Sequence, residues 1–363
     1  MNQPPCSRPG LGYGAGYTDC SVQRREMKKD TLDFICCPTC KGKLSLTTRI
    51  RSGDEIKSGK LLCDSCSEAF PIVSDRPVLM GNNAIHNWLS PIDEVLDPTE
   101  INRPEGPLSI LRLKRLGVNR ARSIATSRAK SSVPCCSSSV SEDLKHMQGT
   151  IKHIRSGKWL AARGRRERLL KSLASPGESV RAFLELVKSN NPDSLLDIAS
   201  GGGSGVASLA DFLSSDVKVF SAERDLKCLW IIQEKFKYIR KLANSEAIGA
   251  DVRQLPIKND SIGVVTSMMA MQELLGVSSV LREINRILEP GGSYIALFNR
   301  EPWVYDMIQI DKYKRFAKAV DMYSGYSDLV ATAENENLNL KGLEEFTENK
   351  RELCLVEFGK EKK

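Results

Sequence analysis

The chain has no hydrophobic run long enough to cross a membrane. No stretch approaches the roughly 20 consecutive apolar residues that a transmembrane helix needs, and the N-terminus lacks the apolar core of a secretory signal peptide. We therefore expect a cytoplasmic protein that does not engage a membrane. Its 363 residues leave room for about two domains, and the hydrophobic fraction of 41% allows a sizeable core.

Extensive disulfide bonding is not expected either. The chain has eleven cysteines, an odd number, and four of them form two C-x-x-C pairs. In a reducing compartment such pairs indicate metal binding. The pairs are Cys37 with Cys40 and Cys63 with Cys66, separated by 22 residues. Each pair presents two thiolates to one ion, so the four predict a tetrahedral zinc site with no open position, which makes the zinc structural. A redox role is the alternative, but redox motifs do not occur doubled at this spacing.

Positive charge is concentrated in one region. The net charge of the chain is +8, yet residues 103–171 contain 17 Lys and Arg against four acids, a local charge of +13, so the remainder sums to −5. Such a segment favours a polyanionic partner, RNA above all. A solvated linker or a basic helix has the same composition, and both interpretations remain open.

Composition divides the chain into four parts. Residues 1–30 are rich in Gly and Pro and are expected to be disordered. Met27 is an alternative start of translation, and residues 1–26 would then not be translated. Residues 31–80 carry the cysteine pairs and predict a zinc ribbon. Residues 81–141 are predicted to form a basic and Ser-rich linker. Residues 142–363 are predicted to form the second domain, which begins with helices that cover a ligand pocket.

A glycine-rich turn lies at the start of the second domain's regular pattern. The sequence from Ser194 to Gly205, SLLDIASGGGSG, reads as a buried strand ending at Asp197, then a turn, then a helix. Ala199, Gly201 and Gly203 alternate along the turn, where small residues allow the backbone to approach a ligand closely. A flexible loop would look similar, so the turn alone does not decide between them.

The strands that follow favour the ligand-binding interpretation. A second strand ends at Glu223, where a carboxylate can accept hydrogen bonds from both hydroxyls of a ribose, and a third ends at Asp251. Strands alternate with helices at the spacing of parallel βαβ units, and two C-terminal segments indicate an antiparallel hairpin at the sheet edge. A dinucleotide site is disfavoured because Val206 occupies the third glycine position of G-x-G-x-x-G.

The order of these features resembles the class I S-adenosylmethionine-dependent methyltransferases. The resemblance covers residues 190–360 and includes LREI-x-R-x-L-x-PGG before the fifth strand. It implies a Rossmann-like, seven-stranded α/β sheet that is mostly parallel. Two positions depart from the family: Ala199 replaces the usual first glycine, and Gly263 replaces an acid of the fourth strand. The residues implied to bind S-adenosylmethionine are Asp197, Ala199, Gly201, Gly203, Glu223, Arg224, Asp251, Val252 and Met268.

The resemblance assigns these residues different roles. The turn from Asp197 would lie beside the methionine moiety, and Glu223 would hold the ribose. Arg224 would pack on the adenine, Asp251 would accept from the adenine amino group, and Val252 would add a backbone contact. Met268, together with Gln272, would line the reaction pocket after the fourth strand.

The cysteine-rich segment has a resemblance of its own. FICCPTCKGKL and LLCDSCSEAFPIVSDRPVLM resemble the small zinc-ribbon proteins that bind and activate tRNA and protein methyltransferases. The likeness covers about 50 residues, including Phe70-Pro71-Ile72, Asp75, Pro77 and Leu79. It implies a module that docks a protein partner or a substrate.

The methyl acceptor is left open by the sequence. No D/N-P-P-Y/F motif follows the fourth strand, which argues against methylation of an exocyclic base amine or a glutamine amide, and Glu301 is the candidate general base. Bacterial rRNA guanine-N1 methyltransferases also place a zinc ribbon before such a domain, which favours RNA or a translation component. A small-molecule methyltransferase and a non-catalytic scaffold that binds the cofactor are the alternatives.

Overall fold

A computed structural model describes most of the ribbon and the second domain. The described residues are 27–52, 55–73, 76–80, 177–210, 212–224, 228, 229, 232, 236, 244–274, 276–301 and 321–362. The expectations for residues 1–26, the linker, the basic segment 103–171 and the covering helices before residue 177 lie outside them. Among the residues that the structure describes, no helix has the length and apolar character that a membrane span needs.

The N-terminal part is a small antiparallel sheet. A 3₁₀ turn at Lys29–Asp33 follows the first strand, Met27–Lys28 (β1). The strand Glu55–Cys63 (β3) pairs with β1, with Leu44–Ser52 (β2) and with Ala69–Val73 (β4). Met27 is fully buried and pairs with Ile56, and Lys28 pairs with Glu55, so these two residues of the N-terminus that was expected to be disordered form a strand with β3. The strands are β1 Met27–Lys28, β2 Leu44–Ser52, β3 Glu55–Cys63, β4 Ala69–Val73 and β5 Arg76–Leu79.

Strands and helices alternate along most of the second domain, as its sequence pattern predicts, although the strands Ser245–Ala250 and Ile262–Met268 are joined without a helix. The helix Val277–Ile287 (α3) shows the pattern: its buried residues recur at helical spacing on one face, beginning with Val277, Val280 and Leu281. The strands are β6 Ser194–Ile198, β7 Lys218–Glu223, β8 Ser245–Ala250, β9 Ile262–Met268, β10 Leu288–Asn299, β11 Asn339–Glu348 and β12 Arg351–Gly359. The helices are α1 Glu178–Ser189, α2 Ser204–Leu209, α3 Val277–Ile287 and α4 Tyr326–Asn335, with a 3₁₀ turn at Met271–Glu273.

The sheet confirms the predicted fold class and extends it. The order β8-β7-β6-β9-β10-β12-β11 contains seven strands, parallel through β10 and closed by the antiparallel hairpin β11–β12. The sheet does not stop at seven, however, because β5 pairs in parallel with the outer edge of β8 through Val78–Gly249 and Leu79–Ala250. The ribbon thereby satisfies backbone groups that an edge strand would leave unpaired.

The two faces of the sheet have separate cores. On the first face the ribbon shares one hydrophobic core with the sheet, with Leu61 and Phe70 in the same cluster as Phe220 and Ile248. Helices α3 and α4 cover the rest of that face. On the second face α1 and α2 pack on the sheet, together with Leu229, Ile232 and Phe236. The ribbon therefore takes the position of a covering layer on one side of the sheet.

Candidate cofactor and zinc sites

The predicted cofactor residues meet at the carboxyl ends of adjacent parallel strands. Leu195 of β6, Val219 of β7 and Ala247 of β8 all point into the core of the second face. Side chains alternate along a strand, so counting in twos places Asp197, Glu223 and Asp251 toward that same face. Val264 of β9 belongs to the same core, and Met268, four residues later on that strand, therefore also points toward this face. Three acids that are 26 and 28 residues apart in sequence thus share one edge of the sheet.

The turn after β6 has left-handed backbone at each predicted position. Ala199, Gly201 and Gly203 have φ values of +49°, +53° and +70°. A Cβ at Gly201 would meet open space, whereas a Cβ at Gly203 would lie 3.0 Å from Ile232 Cγ1. The small residues therefore serve the conformation of the turn throughout, and the open side of Gly201 leaves its backbone accessible to a ligand. Ala199 is in a conformation that L-residues adopt at a cost of about 1–2 kcal/mol.

Replacing Ala199 by glycine should stabilise the protein. Glycine removes the strain of the left-handed backbone but loses about 0.4–1 kcal/mol through the greater freedom of the unfolded chain. The expected net gain is up to about 1.6 kcal/mol in the free energy of unfolding, measured by denaturant titration. Ala207→Gly, in the middle of α2, is the matched control and should destabilise by about 0.5–1 kcal/mol. Equal destabilisation by both substitutions would contradict the strain at Ala199.

Asp197 is enclosed at the base of the turn. Its side chain is buried, and its Oδ1 accepts a hydrogen bond from Thr266 Oγ1 of β9 at 2.9 Å. Burial raises the pKa of Asp197 to about 6, assisted by the negative charge of Glu223 and opposed by hydrogen bonds from Ser200 and Thr266. A positive charge on a bound ligand would favour the ionised carboxylate.

Glu223 joins the second strand to the turn. Its Oε2 accepts a hydrogen bond from the backbone N–H of Gly201 at 2.7 Å. The side chain that the sequence assigns to a ribose therefore already faces the glycine turn.

Met268 completes this part of the site. A Cβ added at Gly205 would lie 3.4 Å from Met268 Cε and 3.9 Å from Asp197 Oδ1. Met268 at the end of β9 and Asp197 at the end of β6 therefore both lie next to the first turn of α2.

Asp251 has a strong partner that the sequence analysis did not anticipate. Arg253 donates from Nε to Asp251 Oδ1 at 2.7 Å and from Nη2 to Oδ2, and its backbone N–H also donates to Oδ1 at 3.0 Å. Burial would raise the pKa of Asp251, but the hydrogen bonds and charge of Arg253, with the charge of Arg224, hold it below its usual value. Arg224 itself is exposed, and Val252 is half-buried against the first-face core.

Neutral polar groups lie just after the carboxyl ends of β9 and β10. Gln272 Oε1 accepts from the backbone N–H of Asn299 at 3.3 Å and from its Nδ2 at 3.1 Å, and both residues are buried. Tyr323 donates to the Asn299 carbonyl at 2.8 Å, while Asn299 Oδ1 has no hydrogen-bond partner among the described residues. Glu301, the candidate base, is exposed beyond β10 and lies close to Gly325, and its role stays a prediction.

The four predicted zinc ligands form one cluster. The sulfurs of Cys37, Cys40, Cys63 and Cys66 all lie within 4.8 Å of one another, with Cys37–Cys66 at 3.7 Å and Cys40–Cys63 at 3.4 Å. Four sulfurs arranged tetrahedrally at about 2.3 Å from a zinc ion lie roughly 3.8 Å from one another, so the sulfur positions of this cluster fit zinc. Cys36 lies outside it, and its thiol donates to the Ile257 carbonyl at 3.2 Å.

The first zinc knuckle binds the segment that follows Asp251. Cys36 N donates to Pro256 O at 2.9 Å, Lys258 N donates to Phe34 O at 2.8 Å, and Lys41 Nζ donates to Leu255 O at 3.2 Å. Residues 255–258 are therefore held by backbone and side-chain groups of the ribbon. We call residues 255–258 the docking segment.

The LREI-x-R motif holds the same segment from the other side. Arg286 of α3 donates to Leu255 O at 2.9 Å and to Ile257 O at 2.7 Å, and it pairs with Glu283 at 2.8 Å. Lys41 also pairs with Glu283 at 2.9 Å. Burial would raise the pKa of Glu283, but Arg286 and Lys41 hold it below its usual value. The motif thus forms an ion-pair cluster that joins the ribbon, α3 and the docking segment.

Comparison with protein-family models agrees with both parts of the chain. A Trm112p-like protein family matches residues 28–74, and a methyltransferase domain family matches residues 196–296. The second match spans the glycine turn and all three acids of the candidate cofactor site.

Curated relatives match about a third of the chain. A malonyl-[acyl-carrier protein] O-methyltransferase from Marinomonas is 28% identical over 110 residues, which are 30% of this chain and 39% of that protein. The ubiquinone/menaquinone biosynthesis C-methyltransferase UbiE of Escherichia coli is 25% identical over 130 residues, or 36% and 48%. The chain spans less than half the length of these relatives.

Solved structures of low similarity include a complex of the Trm112 methyltransferase activator from Haloferax volcanii with a methyltransferase. The matched chain of that complex is 16% identical to this chain, with a TM-score of 0.37. The match covers 47% of this chain and 83% of the matched chain. A TM-score this low carries no argument about function. The family matches and the sheet order instead decide the assignment: the chain contains a Trm112-like domain at residues 28–74 and a methyltransferase domain at residues 196–296.

Proposed function

We propose that the protein is an S-adenosylmethionine-dependent methyltransferase whose Trm112-like domain supports the cofactor site within the same chain. One observation carries the proposal: Asp197 with its left-handed turn, Glu223 and Asp251 lie at the carboxyl ends of three adjacent parallel strands, toward one face. Ligands of open α/β sheets bind at this edge. The acids match the three parts of the cofactor in order: methionine, ribose and adenine.

The residues present would divide the work of binding. Gly201 leaves backbone open to the methionine moiety, Asp197 attracts its positive charge, Glu223 accepts from the ribose hydroxyls, and Asp251 accepts from adenine. When bound, S-adenosylmethionine supplies an activated methyl group on a sulfonium. The remaining task of the protein is to align an acceptor and to exclude water. The neutral pair Gln272 and Asn299, after β9 and β10, would orient such an acceptor by hydrogen bonding.

Methyl transfer tests the proposal directly. The full-length chain would be incubated with S-adenosylmethionine carrying a labelled methyl group and with fractionated RNA, protein and lipid from the source organism. We expect label in one fraction and its loss with Glu223→Ala. Binding of the cofactor without transfer to any fraction would favour a non-catalytic scaffold.

Cofactor affinity should depend on pH through Asp197. Because its pKa is about 6 in the free protein, the carboxyl is protonated below that pH and ionised above it. The ammonium of the methionine moiety favours the ionised form, so the dissociation constant of S-adenosylhomocysteine should rise by up to about tenfold per pH unit below 6 and level off above it. Asp197→Asn should weaken binding and remove this slope. A wild-type profile that is flat between pH 5 and 8 would contradict the role of Asp197.

RNA is the acceptor that we favour. The segment 103–171 has a charge of +13. The described residues that flank it in the sequence are Met80 and Gly177. Met80 follows β5 beside the carboxyl end of β8, and Gly177 precedes α1, where Ser179 N donates to Glu348 at the end of β11. Both lie at the edge of the sheet that holds the candidate cofactor site.

Affinity for RNA at several salt concentrations tests this choice of acceptor. Binding to bulk RNA should weaken steeply as salt rises, because contacts between basic side chains and phosphates release counterions. Absence of binding at low salt would contradict it and favour a small-molecule acceptor, the class to which the quinone substrate of the UbiE relative belongs.

A further inference from the structure

Arg253 and Asp251 form a buried, fixed pair at the end of β8. The Asp251 side chain is 6% exposed and that of Arg253 is 8% exposed. The Asp251 carbonyl accepts from Gln254 N at 3.0 Å, so residues 251–254 close a turn in addition to the side-chain pair. The docking segment begins immediately after this turn and is held by Arg286 and the ribbon.

The geometry of the pair limits what else Asp251 can bind. A carboxylate has about four acceptor positions, two on each oxygen. Two N–H groups of Arg253, the backbone one and Nε, already occupy Oδ1, and Nη2 occupies one position on Oδ2. One position on Oδ2 is left for a further donor. The fork of the guanidinium also fixes the plane of the carboxylate, which a lysine could not do.

We propose that Arg253 is a positioning residue that makes the cofactor site selective for adenine. It keeps Asp251 ionised and turns a single Oδ2 position toward the ligand, so that the site requires an N–H donor such as the 6-amino group of adenine. This inference rests on the proposed function, since it assumes that Asp251 contacts the base. Arg253 itself touches neither substrate nor reacting atoms in this proposal.

The test compares two ligands that differ at one position of the base. S-adenosylhomocysteine carries the 6-amino donor, and S-inosylhomocysteine carries an oxygen acceptor there. Calorimetry on the zinc-loaded full-length chain should show the adenosyl ligand binding at least about tenfold more tightly, because the oxygen would face an acceptor and leave it unpaired. In Arg253→Met the ratio should fall to within about threefold. The matched control, Arg282→Met, removes an exposed Arg of α3 that pairs with Glu336 at the end of α4 and should keep the wild-type ratio.

The possible outcomes distinguish a role of Arg253 in ligand selectivity from a purely structural role. If Arg253→Met weakens both ligands equally and keeps their ratio, Arg253 is only structural and the inference is wrong. Should that variant not fold, Arg253→Lys keeps the charge without the fork and should reduce the ratio in part, whereas an unchanged ratio overturns the inference. A wild type that binds both ligands equally contradicts selectivity alone, and a wild type that binds neither contradicts the proposed function as well.

Discussion

Arg286→Ala should lower the free energy of unfolding by about 3 kcal/mol, as expected when one partner of a buried ion pair is removed. The substitution leaves Glu283, whose side chain is 11% exposed, with Lys41 as its one positive partner in the part of the chain that the structure describes. It also leaves the carbonyls of Leu255 and Ile257 without their Arg286 donors. Denaturant titration followed by circular dichroism measures the change.

Arg282→Ala is the control for that prediction. It lies on the same helix and also pairs with a glutamate, but its side chain is 65% exposed. An exposed pair contributes about 0–1 kcal/mol, so the control should change stability little. The double variant Glu283→Ala with Arg286→Ala should destabilise by less than the sum of the single variants, because no buried charge is left alone. Equal effects of Arg286→Ala and Arg282→Ala would contradict a buried cluster.

Removing zinc is expected to weaken S-adenosylhomocysteine binding by at least about tenfold. The ribbon has a small core, so a bound metal should supply much of its folding free energy. Loss of the first knuckle would release its contacts with the docking segment through Cys36 and Lys41, and would disturb β5 at the edge of β8. The measurement is the ligand dissociation constant before and after chelation and after zinc is restored.

Substitutions of two lysines in the ribbon distinguish the contribution of ribbon docking from that of metal binding. Lys41→Met should retain zinc but weaken the ligand about threefold or more, because it removes the pair with Glu283. Lys43→Met changes an exposed neighbour and should have no effect. An affinity that stays within about twofold after complete zinc removal would show that the ribbon does not support the cofactor site.

Local patterns were sufficient to predict that Asp197, Glu223 and Asp251 lie at one edge of the sheet. The glycine turn, Glu223 and Asp251 are each found at the end of an apolar strand, and in a parallel sheet such ends meet. The pairing of β5 with β8 was not predicted, because it joins segments about 170 residues apart and a four-residue strand leaves no periodic signal. No sequence pattern therefore indicated that the ribbon shares one hydrophobic core with the sheet.

Side-chain partners were harder to predict than positions. Asp251 was expected to be available to a ligand, but Arg253, two residues later, occupies most of its acceptor positions. An Asp followed two residues later by Arg was the available signal, since such a pair can close a turn. The LREI-x-R motif was used only as a family signature. Its link to Lys41 depends on a contact across 242 residues, which no local pattern encodes.

Calorimetric titration of the zinc-loaded full-length chain with S-adenosylhomocysteine tests the central claim most directly. The arrangement of Asp197, Glu223 and Asp251 predicts one binding site per chain, and Glu223→Ala, which removes the acceptor for the ribose hydroxyls and the partner of Gly201, should weaken it by at least about tenfold. A folded, zinc-loaded chain that releases or absorbs no heat and shows no ligand-induced rise in unfolding temperature would contradict the cofactor site.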